Sequence, residues 1–291
     1  SAMVSRIARL YPLHLLTLLM VAPLQKLHVL LTDHCFVYIE NDWYHLLLNL
    51  FMFNESGLQR GFSFNGPSWS ISTEFIVNVI FLAVALRNPK RAIAFGVVLV
   101  LGTITLDAAF DWTNPPRYLE PFNRVFRCFL SFGAGLVLHG IHERNRARRI
   151  PTWIVEISFA LAIAAMLYFM TRPSKDSSYY VLSLLVFPTI VLMSLRSTII
   201  GAPLRTHPLV HLGHISFSVY LLHFPLELFY RDLTLLTGWP VNFDNPITLL
   251  SAATICIAAS HATWKYFEMP SRRWVKQSAG SRKWRGESGY L

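Results

Sequence analysis

Charge is scarce in this sequence. Asp, Glu, Lys and Arg supply 14% of the 291 residues, against about a quarter in an ordinary soluble domain. Hydrophobic residues take 53% of the chain, and the mean hydropathy is +0.41. A soluble fold of this length cannot hide so much apolar surface, so the surplus faces lipid. The scarcity of charge excludes a disordered chain and an ordinary cytosolic enzyme. Cysteine is scarce too. Cys35, Cys128 and Cys256 lie far apart without metal-ligand spacing, which excludes a disulfide scaffold and leaves them as small core residues. Walker, dinucleotide, HExxH and GxSxG motifs are all missing, as are internal repeats. No signal peptide leads the chain. It opens Ser1-Ala2-Met3 and reaches an apolar run at once, which reads as a chain joined mid-stream, a fragment or a short scar before Met3.

What is present is a series of apolar runs. A spanning helix needs about 20 mainly apolar residues in a row. Eight segments qualify: 10–26, 69–86, 91–110, 122–142, 151–170, 179–197, 216–236 and 247–266. The expected fold class is therefore an all-α polytopic membrane protein. The net charge of +10 would suit nucleic acid only on a soluble face, and the basic residues instead cluster between apolar runs. No nucleic-acid partner is expected; membrane lipids are. Clusters at Arg6/Arg9, Arg87/Lys90/Arg91, Arg144 to Arg149, Arg196/Arg205 and Arg272 to Arg285 fall at alternate boundaries, and acids such as Asp33, Asp42, Glu120 and Asp232 mark the others. By the positive-inside rule both ends of the chain are cytoplasmic. Asp42 outside and Arg87 inside then require 43–68 to stay on the outer side, as an interfacial helix plus a Gly/Asn/Pro/Ser-rich loop able to dip inward where protein surrounds it.

Polar residues inside spans are costly and point to cavities or partners. The run Pro67-Ser68-Trp69-Ser70-Ile71-Ser72-Thr73-Glu74 reads as a helix start, with Ser70 and Glu74 on one face. Glu74 is expected in its charged form, one turn inside the outer boundary, either in chemistry or in a packing pair with an arginine. Arg6 and Arg9 are three apart and project together as forks suited to phosphate or carboxylate, or as plain topology signals binding lipid headgroups. Arg124 and Arg127 repeat that spacing at an outer boundary, where they are expected to face a cavity or Glu120. His207, His211 and His214 are loosely metal-like in spacing, but no carboxylate or cysteine joins them, and no metal is expected. Tyr220 and His223 recur with Ser216 and Ser218 before Pro225.

Four stretches together resemble the membrane acyltransferase family 3, the integral O-acyltransferases of O-antigen, exopolysaccharide and Nod-factor modification. They are Arg6-Ile7-Ala8-Arg9-Leu10-Tyr11-Pro12, Ser68 to Glu74, Ser216 to Pro225, and Tyr266-Phe267-Glu268-Met269-Pro270-Ser271-Arg272-Arg273. The resemblance covers nearly the whole chain and implies a ten-helix bundle. Eight helices are read here, so the first two are missing, and with them the histidine thought to be catalytic. None of the eleven histidines matches it.

The resemblance implies a stand-alone acyltransferase domain over 1–270, followed by a basic cytoplasmic tail over 271–291, in the inner (plasma) membrane. It implies no bound cofactor, with acyl-CoA (acetyl-CoA above all) as co-substrate. The acceptor would be a carbohydrate or lipid-linked saccharide hydroxyl. Arg6 and Arg9 would hold donor phosphates, Glu74 would support the catalytic histidine, and Trp69, Ser70, Arg124, Arg127, Tyr220 and His223 would line the cavity. Two rival readings stay open: a transporter or flippase for a polar or lipid-linked sugar, and an inactive fragment.

Overall fold

The computed structural model describes residues 2–85, 91–109, 120–146, 149–171, 176–238, 242 and 244–279. Arg87, Lys90, Asp111, Arg148 and the tail beyond Ala279 lie outside the described residues. Every regular element described is helical. Seven helices are long and apolar enough to cross a membrane: Met3–Thr32, Gly66–Val84, Arg91–Ala109, Arg124–Arg144, Thr152–Met170, His207–Thr237 and Pro246–Ser278. The eighth expected span, 179–197, forms only the shorter apolar helix Tyr179–Ser194. A π turn at Leu182–Val186 interrupts it, and Pro188 follows at the start of the next helical stretch. The chain is a multi-pass helical membrane protein. It divides into two compact units, Ser1–Val79 with His214–Leu291, and Ile80–Gly213.

The first unit is organised by two long helices, α1 (Ala2–Thr32) and the part of Pro225-bearing helix His207–Thr237 that begins at His214. They run in the same direction. Leu221 joins Leu10 and Leu13 in one apolar cluster, Phe224 and Leu228 join Leu18 and Val21 in the next, and Asp232 meets His28. At 1.5 Å per residue, Arg6 and His28 are about 33 Å apart along α1.

The chain leaves α1 at its far end and must come back to start the next span. It does so by descending through the unit. The helix α2 (Trp43–Leu50), N-capped by Asp42, exposes Trp43, Leu47 and Phe51 on one face and buries His45, Leu48 and Asn49 on the other. That distribution suits lipid outside and protein within. The irregular stretch 51–65 that follows is lined with buried Asn54, Glu55, Gln59, Ser63 and Asn65. It ends in a 3-10 turn, Gly66–Ser68, before α3 (Trp69–Ala85). Met52 and Ile71 reach the level of Leu10 and Leu13, only one to two turns of α1 beyond Arg6.

Buried irregular backbone must find partners inside the protein. Asn65 Nδ2 donates to Leu221 O at 3.0 Å, and Ser72 Oγ donates to Met52 O while accepting from Glu55 N. Asn49 Nδ2 is shared between His45 O and Ser63 Oγ, and His14 Nε2–H donates to Asn49 O at 2.7 Å. A Cβ on Gly66 would come within 2.1–2.5 Å of the outer edge of the Tyr38 ring, so any larger residue there must displace that ring. The expected inward-dipping loop is thus a deep re-entrant segment.

The second unit is plainer. Helices α4 (Arg91–Ala109) and α5 (Glu120–Arg144) pack backbone to backbone at Gly96 and Gly133, where an added Cβ would lie 2.6–2.9 Å from the facing carbonyl oxygen. Small residues allow this approach, which replaces the hydrophobic drive that lipid withholds. The helix α6 (Thr152–Met170) packs against the π turn and α8 (Phe187–Ser194), which continue from α7 (Asp176–Val181). Glu156 fastens the turn after α8 by accepting from Ser197 Oγ at 2.8 Å and from the N–H groups of Thr198, Ile199 and Ile200. An apolar cavity of about 330 Å³ lies between α5 and α8, with His139 and His142 among its lining residues.

Candidate functional site

Because 43–68 carries the chain back toward the N-terminal end of α1, α3 begins deep in the unit. Five residues after its start, Glu74 lies beside Arg6, with Oε1 and Nη1 3.5 Å apart and both side chains 41% exposed. Arg6 opens one predicted boundary and Glu74 was expected near the opposite one. The structure brings them together. Glu74 therefore belongs at the Arg6 end of the unit, and its arginine partner is a residue of this chain. A half-exposed pair at this separation contributes roughly 0–1 kcal/mol to stability. Packing alone gives little reason for it.

The rest of the α3 start is wired to the helix α9 (His207–Thr237). Ser70 Oγ donates to Tyr220 Oη at 3.0 Å, and Tyr220 Oη donates on to Pro67 O at 2.6 Å. Asn78 Nδ2 donates to Glu74 O one turn along. Ser70, Glu74 and Tyr220 are all partly exposed, whereas Ser68, Ser72 and Thr73 are buried. The partly exposed face of α3 therefore carries a carboxylate, a hydroxyl and a phenol within reach of an arginine. Trp69 is half-buried at the same helix start. His223 is exposed, its ring centroid 5.9 Å from that of Tyr220, so it stands at the margin of this group.

Arg9 is exposed, one turn beyond Arg6. Its charge acts on Glu268, which is 1% exposed and also bonds Ser218 and Arg272. Motif resemblance singled out the stretch holding Glu268 but gave that residue no task. The final span ends in a π turn, Trp264–Glu268, between α10 (Pro246–Thr263) and α11 (Met269–Ser278), so the tail expected from 271 begins as helix.

Arg124 and Arg127 belong to the second unit. The Arg127 guanidinium lies 4.8 Å from the centroid of the Tyr179 ring, and Tyr179 Oη donates to Arg127 O. The side chain of Glu120 lies outside the described residues.

Two further polar groups deserve placing. His28 Nδ1 and Asp232 Oδ1 are 2.6 Å apart at the far end of the first unit, a buried link between α1 and α9 that sequence separation conceals. Glu40, Asp42 and His45 converge closely enough to suggest a cation. The hydrogen bonds answer otherwise. His45 Nε2 accepts from Arg60 N–H, so Nδ1 carries the proton and donates to Asp42 at 2.7 Å, leaving the ring no lone pair for a metal. The N–H and ring of His45 also hold the Asp42 carboxyl below its ordinary range. His207 and His211 stack on each other while His214 lies against Trp264, so those three do not converge.

A protein-family model described as an acyltransferase domain matches residues 1–265. No curated protein and no solved structure matches the chain.

Proposed function

The chain belongs to the membrane acyltransferase family 3, and from that premise we propose that it moves an acyl group from acyl-CoA to a hydroxyl of a cell-surface or exported carbohydrate. Acetyl-CoA is the donor we favour. The protein then sits in the inner membrane with both termini cytoplasmic, the donor entering from the Arg6 end and the saccharide from the other.

The carrying observation is the meeting of Arg6 with Glu74 beside Ser70 and Tyr220. Phosphate is a stronger partner for a guanidinium fork than a single carboxylate oxygen at 3.5 Å. Donor phosphates on Arg6 and Arg9 therefore release Glu74 as they bind. The acceptor oxygen attacks the thioester carbonyl, its proton passes to a base, the C–O bond forms, and the C–S bond breaks to give CoA thiol. Family resemblance assigns that base to a histidine that lies in none of the four motif stretches. The freed Glu74 orients it and balances the imidazolium charge, the supporting part a carboxylate plays in a catalytic triad. Trp69, Ser70, Tyr220 and His223 line the route.

Membranes containing the protein extended by the two helices that the resemblance places before Arg6, supplied with radiolabelled acetyl-CoA and saccharide acceptor, test this reading. Label should pass to the carbohydrate as an alkali-labile ester. Folded protein that transfers no acyl group from any acyl-CoA would contradict it.

A further inference from the structure

We infer that α11 supplies a third arm of the donor site: Arg272, set in place by Glu268, takes a phosphate of the acyl-CoA beside Arg6 and Arg9. This rests on the donor reading above. The last span changes from α-helix to a π turn just before α11, and such turns often mark functional positions. Glu268 closes that turn and is 1% exposed. A lone carboxylate so placed would be strongly disfavoured. It accepts instead from Ser218 Oγ at 2.5 Å, pairs with Arg272 one turn on, and feels the charge of Arg9. α1 packs against both the π turn and α11. One buried carboxylate thus lies among guanidiniums from two helices.

That arrangement fixes the Arg272 guanidinium on the helix that packs against α1. A guanidinium carries five N–H donors in a planar fork, and a carboxylate occupies one edge. Arg9 is exposed and the Arg272 side chain is 25% exposed. Arg6 and Arg9, three apart on α1, share a face. Three guanidiniums, Arg6, Arg9 and Arg272, thus stand with two carboxylates, Glu74 and Glu268. The site therefore suits a ligand with several phosphates. A CoA donor carries a diphosphate and a ribose 3′-phosphate. Arg6 and Arg9 suit the diphosphate, and Arg272 suits the 3′-phosphate.

A lipid headgroup offers the same phosphate chemistry, so the test separates the two sources. The protein is reconstituted in phosphatidylcholine nanodiscs, and in discs containing phosphatidylglycerol, then titrated with CoA and with 3′-dephospho-CoA. The wild type should bind CoA the more tightly in both discs. Arg272→Lys keeps a counter-charge on Glu268 but loses the fork, and should weaken CoA about tenfold while closing the gap to 3′-dephospho-CoA. The Glu268→Gln/Arg272→Gln pair removes both charges together, so no buried carboxylate is stranded, and should do the same. Wild-type affinity and discrimination in both variants would overturn the inference. So would variants that change only the response to phosphatidylglycerol. If Arg9→Ala loses CoA but the Arg272 variants do not, the donor reading stands and this inference alone falls. If the wild type binds no CoA, both fall.

Discussion

The two units handle polarity in opposite ways. Among the described residues, the buried polar side chains of the second unit are Thr103, Ser183 and Ser197, whereas the first buries His14, Asn49, Glu55, Asn65, Ser72, Glu268 and many others. Lipid rewards apolar exteriors in both. Among the described residues, the first brings a long irregular stretch, 51–65, into its interior, and that backbone recruits the polar residues that satisfy it. The second unit settles for close helix contact at Gly96 and Gly133. Polarity deep in a membrane protein is costly, so its concentration in one unit marks where chemistry is expected and where scaffold is.

Substitutions should sort by unit, and the largest expected effect breaks the scaffold. Gly133→Val drives a side chain into the Gly96 carbonyl and should destabilise the protein by about 1–3 kcal/mol or more, with turnover per folded molecule little changed. A thermal melt paired with specific activity checks both halves. Arg9→Ala should do the reverse. Donor affinity should fall roughly ten- to a hundredfold, with an unchanged melt and only partial rescue by Arg9→Lys. Unchanged donor binding would make Arg9 a topology residue. Ser72→Ala sits between these cases, because it removes the hydroxyl that accepts from Glu55 N–H and donates to Met52 C=O in the re-entrant segment. It should cost about 1–3 kcal/mol and speed hydrogen exchange around residues 52–55.

The smallest effect is at α2. The Asp42 carboxyl titrates below its ordinary value of 3.8 because His45 bonds its charged form. That contribution is complete above the ordinary value and is lost as pH falls through the lowered one. Exchange at the α2 amides should rise in that acid window, and Asp42→Asn should abolish the rise.

Much of this was legible in the sequence. Seven of the apolar runs became helices of spanning length because nothing but helix satisfies backbone in lipid. The run 179–197 stopped short because a π turn and Pro188 break it, and composition carries no sign of that turn. Glu74 was legible as a residue needing a cation, but Arg6 as that cation was not. Its position depends on how far 43–68 descends, and that stretch has no periodicity to read. Its depth comes from pairings such as Asn65 with Leu221, 156 positions apart. Glu268 and the His28–Asp232 link are invisible for the same reason.

The central claim is that the Arg6–Glu74 meeting serves acyl transfer rather than packing. Glu74→Gln preserves shape and removes charge, so specific activity of the purified variant, in the protein extended by the two helices before Arg6, with acyl-CoA and saccharide and alongside its melt, tests this most directly. The claim predicts a wild-type melt with turnover reduced by about a hundredfold or more. A lowered melt with wild-type specific activity would contradict it.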